Sequence, residues 1–118
     1  MSLTEEDKNH ILSEFLRIIL HISDKEYQKR VWIRGEGPEV NDFDETICHF
    51  FDDGDPILKN YKIYGISENQ QNLLQEFRKL LKSFSDENYW PPMFIDSPEW
   101  TNITIRAKEV LQSFNYSK

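Results

Sequence analysis

The chain has 118 residues, of which 21 are acidic and 14 basic, so its net charge is −7 at pH 7. This balance argues against nucleic acid and anionic membranes as partners, because binding to phosphate needs clustered Lys and Arg. The single cysteine, Cys48, excludes an internal disulfide and fits a reducing compartment, so we expect a cytoplasmic protein.

Length and composition predict one globular domain that covers residues 1–118, because the chain has the usual size of a domain and 14% aromatic residues. The aliphatic run at residues 18–20 is flanked by Arg17 and His21, which predicts no membrane span and no signal-peptide core.

The first predicted helix begins after Thr4, a good N-cap followed by an acidic turn, and runs to about Ser23. Asp24 then has the side chain to cap a second, short helix across residues 25–34. Gly35 is expected to end that helix in a left-handed conformation.

Asp42 or Asp44 is predicted to cap the next helix, whose apolar stripe is Phe43, Ile47, Phe50 and Phe51. Gly54 is expected to stop this helix. Asp55 and Pro56 would then begin another one, since Asp is a good N-cap and Pro suits a first helical turn.

Gly65 and Ile66 have the pattern of a helix stop, and Ser67 with Gln70 has the spacing of a capping box. The helix that follows has the clearest apolar face, from Leu73 to Phe84. After a loop at residues 86–96, Ser97 is predicted to cap a last helix that opens with Pro98.

These elements predict an all-α, single-domain bundle of about five to six helices. Short apolar runs are also compatible with strands, which leaves one alternative open. In that alternative the fold is α+β, with a small antiparallel sheet from residues 31–34, 46–51 and 62–66.

Residues 35–58 carry eight acids and no base, so this one segment holds the whole net charge. Helix-start and capping roles account for Asp42, Asp44, Glu45 and Asp55. Predicted structure does not explain the other four acids. Glu36 and Glu39 cap no predicted helix. Asp52 and Asp53 are expected at a helix C-terminus, where the helix dipole disfavours negative charge.

Two explanations of these four acids stay open. Bases of the neighbouring helix can pair with them inside the protein, namely Lys25, Lys29, Arg30 and Arg34. Exposed pairs contribute under about 1 kcal/mol, however, whereas an acidic patch speeds association with a basic partner. We therefore interpret Glu36, Glu39, Asp52 and Asp53 as the centre of a docking face, with Trp32 and Trp90 as aromatic anchors if they are exposed.

Glu45, Cys48 and His49 share one helix face at i, i+3 and i+4, which is a fragment of a metal site. No further ligand pattern completes it, and no serine or cysteine has a catalytic setting. We expect no metal, no cofactor and no enzymatic activity. A metal-dependent enzyme that uses Glu45 and His49 is the alternative from another class.

The loop "YWPPMF", residues 89–94, suggests a third hypothesis, a regulatory or oligomer-forming helical module that uses these aromatic residues as its contact. A loop folded over the core explains the same residues.

In size, acidity and aromatic content the chain resembles the immunity proteins that bacteria make against nuclease toxins. The stretch "RVWIRGEGPEVNDFDE" also looks like small uncharacterised bacterial proteins. The first resemblance implies a non-enzymatic inhibitor that places carboxylates and a few aromatic side chains on a basic protein, such as a toxin nuclease domain. It covers no motif, so it assigns no role to a particular residue.

Overall fold

The computed structural model describes residues 4–37, 42–87 and 91–116, and all regular structure in these ranges is helical. The helices are α1 (Glu5–Ser23), α2 (Lys25–Tyr27) with a π-helix that continues it (Gln28–Ile33), α3 (Phe43–Lys59), α4 (Glu68–Glu87), α5 (Pro91–Phe94) and α6 (Pro98–Ser113). The all-α prediction is confirmed. The α+β alternative is wrong, because residues 31–33 lie in the π-helix, residues 46–51 in α3 and residues 62–66 in a turn.

Helix starts follow the predicted caps. Thr4 and Asp7 form a capping box, Asp24 accepts from the Tyr27 N–H, and Asp42, rather than Asp44, accepts from the Glu45 N–H at 2.8 Å. Ser67 and Gln70 exchange the two hydrogen bonds of a capping box, and Ser97 accepts from the Trp100 N–H. Gly35 (φ +63°) follows the π-helix in the left-handed conformation expected of a helix end. Gly65 (φ +73°) is also left-handed, but it closes the turn after α3, which already ends at Lys59, so the prediction that Gly65 stops a helix is wrong.

The prediction that Gly54 ends a helix is wrong, and so is the N-cap role of Asp55. Helix α3 continues through Gly54 and Pro56 to Lys59. A proline inside a helix costs about 3 kcal/mol, and the burial of Ile57 (1% exposed) and Leu58 (5% exposed) directly after it offsets that cost. Gly54 is buried for a different reason: a Cβ there would lie 2.7 Å from Cε1 of Phe15, so its missing side chain lets α1 and α3 approach.

The core lies where α1, α3, α4 and α6 meet; α1 packs on α3 and α6, and α4 also packs on both. Trp100 is fully buried at its centre and contacts Phe94 (ring centroids 5.1 Å apart), Phe84 (5.2 Å) and Phe43 (5.7 Å). Phe50 joins Phe15 to this core at 5.3 Å. These large rings explain how 14% aromatic content supports a chain with only 38% hydrophobic residues.

A buried glutamine attaches the α2 and π-helix segment to the bundle. Gln28 is fully buried; its amide donates to the carbonyl oxygens of His21 (2.9 Å) and Ile22 (2.8 Å) at the end of α1. Its Oε1 accepts from Nε1 of Trp100 on α6 at 2.8 Å. One side chain thus satisfies two carbonyls at a helix end and one indole N–H.

Candidate functional site

The outward side of α3 carries Asp52 and Asp53, two exposed carboxylates of the predicted docking face. The inward residues of α3, among them Phe43, Ile47 and Phe50, are buried, whereas Asp44, Glu45, Asp52 and Asp53 are exposed. We call these four residues the acidic face. Glu45 and Asp52 are seven residues apart, so about 10 Å of helix rise separates the two carboxylates along one side of α3.

The side chains of Asp52 and Asp53 cap no helix and bind no other described residue. They lie in the middle of α3 rather than at its end, so the predicted opposition from the helix dipole is wrong. Neither carboxylate makes an ion pair or a hydrogen bond with any residue in the described ranges.

Asp55, on the same helix, is used differently. Its carboxylate accepts from Nε (2.8 Å) and Nη2 (3.3 Å) of Arg78 on α4, and that guanidinium lies 5.0 Å from the centre of the Phe51 ring. The hydrogen bond and charge of Asp55 raise the pKa of Arg78 above its usual value, despite some opposing desolvation. Asp55 therefore joins α3 to α4.

The basic stretch at residues 25–34 does not neutralise the acidic face. Within the described part of the chain, Lys25 donates to Thr101 (2.7 Å) and Lys29 pairs with Asp96 (3.6 Å). Arg34 pairs with Glu36 at 2.8 Å, and Arg30 donates to the Glu36 carbonyl oxygen. Of the predicted site acids that the structure describes, Glu36 is therefore held by the basic stretch, while Asp52 and Asp53 are not.

Of the two predicted aromatic anchors, Trp32 is not fully exposed, and Trp90 lies outside the described residues. Trp32 is half-buried; its ring packs on Phe43 (5.7 Å) and Trp100 (6.2 Å). Its Nε1 is buried and has no hydrogen-bond partner among the residues that the structure describes. Glu39 and Trp90 lie outside the described residues. Trp32 is therefore mainly a core residue with one exposed edge.

The prediction of a loop at residues 86–96 is wrong in part, because residues 86–87 belong to α4 and Pro91–Phe94 form the short helix α5, while residues 88–90 lie outside the described ranges. Phe94 is 4% exposed and belongs to the core, whereas Met93 is 82% exposed. The loop-over-core interpretation thus holds for Phe94, and Met93 is the side chain of α5 that is available to a partner.

The metal-site fragment gains no further ligand from the fold. His49 Nε2 lies 3.9 Å from Glu45 Oε1, and Cys48 is exposed on the same side of α3. In residues 4–37, 42–87 and 91–116, no three His, Cys, Asp or Glu side chains come close enough together to hold an ion.

Sequence patterns did not indicate a cleft of about 390 Å³ between the end of α1 and the π-helix. His21 and Tyr27 stack in it with ring centroids 4.0 Å apart, and Arg30 and Arg34 form part of its wall. Asp24 and Glu26 also line it, and Glu36 already engages both arginines. The cleft is therefore internally balanced in charge. The i, i+4 spacing of Arg30 and Arg34 is the sequence feature from which their shared place on one helix face could have been predicted.

Comparison of the chain with protein-family models, curated proteins and solved structures gave no match. None of the described helices is both long enough and apolar enough to cross a membrane.

Proposed function

We propose that the chain is a non-enzymatic, immunity-type inhibitor whose acidic face docks on a basic protein, such as the nuclease domain of a toxin. The observation that carries this proposal is the pair of exposed carboxylates, Asp52 and Asp53, which have no ion-pair partner among the described residues. A bacterial, cytoplasmic setting is part of the proposal.

Electrostatic reasoning explains how such a face would act. A row of carboxylates attracts a basic surface over a Debye length of about 8 Å at physiological salt. The attraction raises the association rate, and the partner's Lys and Arg side chains replace the ion pairs that Asp52 and Asp53 lack within the chain.

The test compares two double charge reversals that change the net charge equally. Asp52→Lys with Asp53→Lys alters the acidic face, and Glu6→Lys with Glu14→Lys alters exposed positions of α1. Each bait, checked for folding by circular dichroism, captures proteins from the source lysate, and mass spectrometry identifies what it retains.

We expect wild type and the α1 variant to retain a basic protein that the acidic-face variant loses. Calorimetry with the purified partner should show affinity weakened at least about tenfold by the acidic-face reversal, and wild-type affinity falling as salt rises. Equal retention by all three baits would contradict the proposal, and so would a partner whose nuclease or other activity is unchanged by binding.

A further inference from the structure

A histidine at the C-terminus of α1 lies against the segment that follows this helix. His21 is in the last turn of α1, and its ring stacks on the Tyr27 ring with centroids 4.0 Å apart and planes 9° from parallel. The backbone carbonyl oxygen of His21 accepts from the buried Gln28 amide at 2.9 Å. His21 therefore contacts residues 25–33, which we call the α2–π segment, through both its side chain and its backbone.

The α2–π segment has few buried side chains. Gln28 and Val31 are buried, whereas the other residues from 25 to 33 are half-buried or exposed. Two further contacts, from Lys25 to Thr101 and from Lys29 to Asp96, lie at least partly in solvent. A short segment with so little buried surface opens locally at a lower free energy than the whole domain unfolds. A modest change at the histidine stack therefore shifts this opening equilibrium.

Two features of the stack favour the protonated form of His21. The carbonyl groups at the end of a helix carry partial negative charge, so a cation in the last turn of α1 is stabilised. The face of an aromatic ring is also negative, so the Tyr27 ring attracts an imidazolium stacked on it. Because His21 is only half-buried, water still reaches it and limits the cost of burying a charge.

The charged groups around His21 do not reverse this preference. Arg30 lies 5.7 Å from the centre of the Tyr27 ring and competes for it. The acids, however, are at least as numerous as the bases, and no residue of α6 lines this cleft in the described part of the chain. The charged residues are Arg17 with Glu14 on α1 and, in or beside the cleft, Asp24, Glu26, Arg30 and Arg34 with Glu36.

We infer that His21 forms a pH-sensitive contact, whose protonation strengthens the attachment of the α2–π segment to the end of α1. The attached segment holds the proton of His21 more tightly than the open one. The added stability is therefore fully present below the ordinary histidine value of about 6.5, and it is lost as the pH rises through the midpoint of His21 in the attached form. This inference concerns the stability of one segment and does not depend on the acidic face of α3.

The first measurement is a proton NMR titration of the wild-type histidine resonances, with that of His21 assigned by its absence from a His21→Phe variant. We expect a midpoint for His21 above about 6.5, because both the helix end and the Tyr27 ring favour the imidazolium. A midpoint at or below that value would overturn the inference. The titration curve comes from wild type, and if His21→Phe does not fold, His21→Gln supplies the assignment.

The second measurement is amide hydrogen exchange at about pH 5.5 and about pH 8, expressed as protection so that the intrinsic rate cancels. Phenylalanine in His21→Phe keeps a ring on Tyr27 but cannot bind a proton. His10→Gln removes an exposed histidine from the same helix and is the matched control.

We expect the amides of residues 27–32 to be about threefold better protected at the lower pH in wild type and in His10→Gln. His21→Phe should lose this pH dependence, and the amides of α4 should be the same in wild type and both variants. Equal pH dependence in wild type and His21→Phe would overturn the inference, and so would wild-type protection that stays constant or rises with pH.

Discussion

The buried region where α1 meets α3 and α6 differs from the acidic face of α3 in how its polar groups are paired and how closely its atoms pack. In the buried region, Gln28 hydrogen-bonds two carbonyl oxygens of α1 and the indole N–H of Trp100. At Gly54, the Phe15 ring leaves no room for a Cβ atom. On the acidic face, Asp52 and Asp53 contact no described partner at all. The difference teaches that folding shapes the first region, whereas it gives Asp52 and Asp53 no partner among the described residues.

The largest effect is expected for Gln28→Leu. The change removes the acceptor of the buried Trp100 N–H and the side-chain donor to the Ile22 carbonyl oxygen, whereas the His21 carbonyl oxygen keeps the Asp24 N–H at 3.4 Å. Each buried group left without a partner costs about 1–3 kcal/mol, so we expect a loss of roughly 3 kcal/mol. Urea unfolding followed by circular dichroism measures it. Gln112→Leu, at an exposed position of α6, is the control and should stay within about 0.5 kcal/mol of wild type.

Gly54→Ala should destabilise the protein by about 1–2 kcal/mol. The added methyl group meets the Phe15 ring, which is fully buried and stacked on Phe50, and this overpacking outweighs the gain of about 1 kcal/mol in helix propensity. Asp53→Ala, one residue earlier on the outward side of the same helix, should be neutral or slightly stabilising. If both alanines stabilise α3, the close approach of α1 and α3 at Gly54 is wrong.

The two tryptophans of the aromatic cluster give a comparison within the buried region. Trp100→Phe leaves Gln28 Oε1 without its indole donor and should cost about 2 kcal/mol. Trp32→Phe removes a buried N–H that has no partner among the described residues, which offsets the lost packing. Thermal unfolding of both variants should therefore show a clearly lower Tm for Trp100→Phe alone. Equal losses would mean that the Trp32 N–H is satisfied in solution.

The smallest effects are expected among the aspartates of α3. Asp55→Asn weakens the contact with Arg78 and should cost under about 1 kcal/mol, with the difference from wild type shrinking in high salt. Asp52→Asn should not destabilise the protein, and it should slow association with a basic partner, which stopped-flow mixing measures. A stability loss for Asp52→Asn as large as for Asp55→Asn would remove the distinction between the two acids.

The sequence by itself determined the features that depend on residues close together in the chain. Thr4, Asp24, Asp42, Ser67 and Ser97 were predictable as N-caps, because a capping hydrogen bond joins residues only two or three positions apart. The left-handed conformation of Gly35 at the end of the π-helix was predictable by the same local reasoning. The acidic character of residues 35–58 was equally visible without a structure.

Only the tertiary structure decided the different roles of residues of the same type, such as Gly54 and Gly35 or Asp55 and Asp52. Gly54 has the same local signal as Gly35, yet α3 continues through it, because Ile57 and Leu58 reach the core and Phe15 lies against its Cα. Asp55 differs from Asp52 because Arg78, 23 residues further along the chain, lies beside it. Such contacts join distant parts of the chain, so packing fixed the division of the acids into structural and unpaired ones.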